Sequence, residues 1–139
     1  MEDTKELYAA LLGIRHPWRV VKVALDLAKN RVDVWVEEIK GLKWKCLACG
    51  QTGPLHDHDE ERIWRHLDTC QCQTFLHARM PRVHCSVHGI QLVPAPWAEP
   101  GSRFTLAFEH QVIDTLKECD ITGVCRLLHS GWKEMWGTL

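Results

Sequence analysis

Two short runs carry the residue types and spacing that chelate a metal: Cys46-Leu47-Ala48-Cys49 before Gly50, and Cys85-Ser86-Val87-His88 before Gly89. A turn that aims two side chains at one tetrahedral Zn²⁺ needs two intervening residues, and a glycine after it can take the left-handed conformation that lets backbone amides face the thiolates. Each run supplies half a coordination shell, so together they predict one Zn²⁺ held by Cys46, Cys49, Cys85 and His88. The 35 residues between Cys49 and Cys85 are long for a finger but suit a zinc ribbon, in which strands separate the knuckles. Competing ligands lie between them. His56-Asp57-His58-Asp59-Glu60 has the composition of a second metal or acid-base site, and equally that of a solvated polar turn. Cys70 and Cys72 flank Gln71 at a spacing that suits a strand and is poor for joint chelation, so they read as core thiols.

A second chemistry is carried by arginines. Arg62, Arg65, Arg79 and Arg82 are interleaved with Trp64, His66, Phe75 and His77, a mixture that contacts phosphates and stacks on bases. Residues 62–90 hold four basic and one acidic side chain, against a formal charge of -1 for the 139-residue chain. That balance argues against a strong non-specific polyanion binder and leaves room for a local basic face. No Ser/His/Asp arrangement, phosphate-cradling glycine loop or paired carboxylate site stands out.

These groups need elements to position them. Thr4 is an expected N-cap for a short opening helix that carries Leu7, Leu11 and Leu12 and ends before Gly13. Val21, Val23, Leu25 and Leu27, then Val32, Val34 and Val36, alternate with other residues on either side of Lys29-Asn30-Arg31, which predicts a β-hairpin. Pro94, Pro96, Pro100 and Gly101 mark a linker and divide the chain into units 1–99 and 100–139. Beyond it, Ser102 is expected to cap a helix with Phe104, Phe108, Val112 and Leu116 on one face, and Asp120 a second helix with Ile121, Val124, Leu127 and Leu128. After His129-Ser130-Gly131, Trp132 and Trp136 sit four apart on a third. Two short helices joined by a three-residue turn after a longer one form the pattern of a helix-turn-helix, and equally of a plain helical hairpin. Arg126 and Lys133 are the cations that such a unit would present to DNA.

Composition bounds the rest. With 45% hydrophobic and 25% charged residues the chain has globular proportions. The longest stretch free of charge, Val83 to Ala98, is 16 residues and contains prolines, too short to cross a bilayer. Seven cysteines, an odd number, behind an acidic start predict reduced thiols and a cytoplasmic location.

Four runs then become recognisable together: Ile63-Trp64-Arg65-His66-Leu67-Asp68-Thr69-Cys70-Gln71, His77-Ala78-Arg79-Met80-Pro81-Arg82-Val83, the knuckle ending His88-Gly89, and Val93-Pro94-Ala95-Pro96-Trp97-Ala98. They resemble the N-terminal region of the ISL3 family of insertion-sequence transposases, over nearly the whole chain from the hairpin onward. The resemblance implies that Cys46, Cys49, Cys85 and His88 hold zinc and that residues 121–139 form the DNA-reading unit. It also implies that the Asp-Asp-Glu catalytic domain, placed by the family after this region, would begin beyond Leu139. Two departures stand out: Leu47 where the family commonly has proline, and His129 where it has glycine in the turn. The expectation is an α+β protein, a zinc ribbon with a β-hairpin followed by a small helix-turn-helix domain, that binds double-stranded transposon-end DNA without being an enzyme itself. The alternative is an interaction module whose ribbon and Trp-rich helices form a homodimer or dock a partner.

Overall fold

The computed structural model describes residues 2–131; the expected third helix, with Trp132, Lys133 and Trp136, lies outside the described residues. Helix α1 spans Glu2–Leu12, so Thr4 lies inside its first turns instead of capping it. Its end is closed as the pattern implied, by bonds from the Gly13 and Ile14 amides to the Ala10 and Ala9 carbonyls. The predicted hairpin follows as β1, Trp18–Asp26, and β2, Arg31–Glu38.

Two-residue strands β3, Trp44–Lys45, and β4, Thr52–Gly53, pair around the first knuckle. The segment between the knuckles then forms a long hairpin of β5, Leu55–Thr69, and β6, Cys72–Cys85. Thr69 pairs with Cys72, so Cys70 and Gln71 are the two turn residues, and Cys70 sits exposed at φ 57. This corrects the placement of Cys70 on a strand as a core thiol; Cys72 alone is half-buried against the core. Strand β6 runs parallel to β2 and, further along, antiparallel to the short β7, Gly89–Leu92. The sheet order is β1-β2-β6-β5, with β7 extending β6.

Because side chains alternate across a sheet, register sorts them into two faces. Val34, Leu76 and Trp64 occupy neighbouring strands in one row and are all almost fully buried. With Val20, Val32, Val36, Ala78 and Met80 they make the main core, against which α1 packs Tyr8, Ala9 and Leu12. Trp97, from the proline-rich segment, closes it edge-on against Trp18 and Trp64 at 5.1 and 5.4 Å between ring centroids. The other face carries Arg31, Asp33, Trp35, Phe75 and His77. There His77 stacks on Trp35 and bonds Asp33 and Glu61 through its two ring nitrogens at 2.6 and 2.8 Å.

A second, smaller core lies past the prolines. Helix α2, Leu106–Leu116, is capped by Thr105, whose side chain accepts from the Phe108 amide; Ser102, the expected cap, instead bonds the Phe104 amide and Glu109 one turn earlier. Helix α3, Ile121–Leu128, is capped by Asp120 as expected, with Oδ1 2.8 Å from the Gly123 amide. Phe104, Phe108, Val112 and Val124 are buried together, with Leu67 of β5 packed against them. At the end of α3, His129 takes φ 53, ψ 47, the left-handed position that glycine favours, and its amide closes the helix on Cys125.

Candidate metal centre and nucleic-acid interface

The first knuckle folds because the β3–β4 turn returns on itself: the Cys46 amide bonds Gln51 and the Gly50 amide bonds the Cys46 carbonyl, both within 2.9 Å. Gly50 and Gly89 sit at φ +74 and +76, so each run turns left-handed directly after its second ligand. Gly53 is required for a different reason, since a Cβ there would stand 2.1 Å from the His84 carbonyl oxygen. That close approach seats the first knuckle against β6, where Cys85 begins the second.

The four ligand atoms of Cys46, Cys49, Cys85 and His88 all lie within 4.8 Å of one another, and among the described residues no other such group of three or more His, Cys, Asp or Glu forms. Cys49 Sγ is 3.6 Å from Cys85 Sγ, and His88 Nδ1 is 3.6 Å from the sulfurs of both Cys46 and Cys85. Zn–S bonds of about 2.3 Å at tetrahedral angles put ligand atoms about 3.5–3.8 Å apart, so these edges fit the ion in both length and donor chemistry. Backbone amides tune the thiols. Those of His88 and Val87 bring Cys85 down to about 7, and those of Cys49 and Ala48 lower Cys46. At Cys49 the Gln51 amide pulls down, but burial and the neighbouring sulfurs outweigh it and leave the thiol raised. Were a metal bound, this set would offer it two thiols already lowered by backbone amides and a third, Cys49, that ligation must deprotonate.

The His56–Glu60 run does not converge on a metal. Asp57 pairs with Arg82, which holds its carboxyl below the usual range, while His58 bonds Glu38. The predicted DNA-contacting arginines are likewise spread out. Arg65 and Arg82 pair with Phe75 and Asp57, seven positions apart along β6, or about 23 Å at strand rise. Arg62 lies 4.8 Å over the Trp64 ring and donates to the Ser102 carbonyl. Arg79 is exposed and donates to the Asp59 carbonyl.

Arg65 departs most from expectation, being only 5% exposed. It donates to the Leu128 and His129 carbonyls at the end of α3, bonds Asp68 and covers the Phe108 ring at 4.7 Å. It therefore braces the helical unit onto the sheet, and its predicted role as a surface phosphate contact is corrected. Arg126 is exposed on α3, and Lys133 lies outside the described residues. Sequence reasoning passed over Arg103, whose backbone bonds Arg65 beside β5; only folding brings the two together.

A four-ligand knuckle pair set against a sheet, followed by a capped helix pair closed by a left-handed turn, defines a zinc-ribbon protein with a helix-turn-helix. The comparisons narrow this. Residues 42–88 match the family model described as the zinc-finger of transposase IS204/IS1001/IS1096/IS1165, and residues 93–137 match the helix-turn-helix domain of transposase family ISL3. The chain is 36% identical over 134 residues to the transposase for insertion sequence element IS1557 from two Mycobacterium tuberculosis strains, CDC 1551 / Oshkosh and H37Rv, covering 91% of this chain. It carries the zinc-finger and helix-turn-helix regions of the ISL3 transposase family. The chain spans 30% of the length of those relatives. No solved structure matches it. Among the described residues no helix is long and apolar enough to cross a membrane.

Proposed function

We propose that this chain recognises double-stranded DNA at transposon ends, in the cytoplasm, and that the segment itself contributes recognition without strand chemistry. The observation that carries the reading is the coincidence, in one short chain, of a Cys₃His cluster inside the zinc-finger match and a capped α3 inside the helix-turn-helix match. In this reading Cys46, Cys49, Cys85 and His88 hold one Zn²⁺, which supplies a cross-link between two knuckles and no reactive centre. The division into units 1–99 and 100–139 is supported by the buried members of the two apolar clusters, which end at Ala98 in one and start at Phe104 in the other, with Leu67 of β5 packed against the second. Phosphate contacts fall to the exposed Arg79 and Arg126, with the half-buried Arg62 and Arg82 beside them and Lys133 in the segment after the turn, and base reading to that same segment.

The test is a titration of the full chain against a duplex carrying the element's inverted repeat and against a scrambled duplex, at stated salt. Preference for the repeat, with no nicking in Mg²⁺ or Mn²⁺, is the expected result. Equal, weak binding to both duplexes together with a stable homodimer would replace this reading with an interaction module.

A further inference from the structure

Beside the turn after α3 the sheet and the helical unit flank an open pocket of about 250 Å³, whose lining includes Arg65, Gln73, Phe75, Arg103 and His129. Two arginines line one small space. Arg65 is nine-tenths buried, and although its terminal nitrogens bond Asp68 and two carbonyls, its Nε has no partner among the described residues. Arg103 is exposed, and its side chain makes no hydrogen bond or ion pair among the described residues. Asp68 is the carboxylate paired with Arg65, and it stands 3.8 Å from His129 Nδ1. The Gln73 amide reaches weakly to the His129 carbonyl at 3.5 Å, which leaves donor capacity toward the cavity. Two guanidinium charges against one carboxylate, with a desolvated N–H left over, make the space complementary to a tetrahedral oxyanion.

We infer that this cavity is a phosphate site and that its occupant is a backbone phosphodiester of bound DNA. The inference rests on the DNA-binding reading above and deepens it. Two features favour a polymer-borne phosphate: the lining Arg103 is exposed at the surface, and His129 places the pocket at the turn of the helix-turn-helix match. In such units backbone contacts beside the turn fix how the reading helix enters the groove. Arg65 positions the site from beneath, and Arg103 supplies the exposed cation.

The test uses the full, zinc-loaded chain as wild type, Arg103→Ala and Arg103→Lys. Inorganic phosphate should shift the backbone amide signals of Arg65, Gln73 and His129 in the wild type and not in Arg103→Ala. Arg103→Ala should bind repeat and scrambled duplexes about tenfold more weakly and flatten the salt slope by about one unit, while Arg103→Lys keeps part of both. Wild type that binds duplex no better than Arg103→Ala, with amides unmoved by phosphate, overturns the site and leaves DNA binding standing. Phosphate shifts without any effect of Arg103→Ala on duplex binding overturn the assignment to DNA in favour of a free anion. If wild type binds no duplex, the DNA reading fails, and the phosphate titration alone decides whether an oxyanion site exists.

Discussion

Strand β6 runs through two regions that are held together by different physics. Around Leu76, Ala78 and Met80 it lies in a core of valines and tryptophans that water hardly reaches. At its other end Cys85 joins the knuckles, where β3 and β4 are two residues each and Leu47 and Val87 are both 71% exposed. The sheet buries apolar area; the knuckles bury Cys46 and Cys85, lean Trp44 on the core, and bury little more. Where a segment cannot bury enough surface to offset its ordering entropy, ligation must supply the difference. In the proposed zinc-bound form, one continuous strand would be ordered by burial at one end and by coordination at the other.

The largest break in that comparison is expected from Cys85→Ser. Structural zinc contributes on the order of 10 kcal/mol of apparent binding energy at neutral pH, so the variant should lose its metal and the order of both knuckles. Metal analysis of wild type should give one zinc per chain and of Cys85→Ser none, with the circular dichroism of the sheet retained. A Cys85→Ser protein that keeps stoichiometric zinc would move the site to other ligands.

Trp64→Ala probes the opposite end. Removing a side chain that is 1% exposed should cost about 3–5 kcal/mol in global stability, read by denaturant unfolding, while zinc stoichiometry stays at the wild-type value. Zinc loss in this variant at a temperature where it remains folded would show that the two regions are one cooperative unit.

A smaller effect is expected from His66, buried beside Thr105, whose Oγ1 is 2.7 Å from its Nδ1. Burial lowers its pKa below the usual 6.5, so the folded chain resists protonation that the unfolded chain accepts. The unfolded state then binds more protons, and stability falls as pH drops from about 6.5 toward the folded-state value. Thermal unfolding between pH 7.5 and 5.5 should show a shallower slope in His66→Gln than in wild type. Identical slopes would place the acid sensitivity in groups other than His66.

What was legible in the sequence follows the same divide. The knuckles could be read because coordination fixes residue type and spacing directly, and the β1–β2 hairpin because its valines alternate. The β5–β6 hairpin was hidden: its first half, Leu55 to Arg62, is mostly polar, and Arg65, His66 and His77 are buried polar residues that break the two-residue period. Ser102 misled as a cap because Thr105, three residues on, caps α2 instead, and Thr4 because α1 already runs from Glu2. Arg103 carried no signal at all, lying in a Gly-Ser-Arg stretch whose importance depends on pairing with β5.

Hydrogen exchange with and without a zinc chelator tests the central claim most directly. The account predicts that chelation strips protection from amides in 44–53 and 85–92 while those of 32–36 and 74–80 keep theirs. Loss of protection across the whole sheet, or no change in the knuckles, would contradict it.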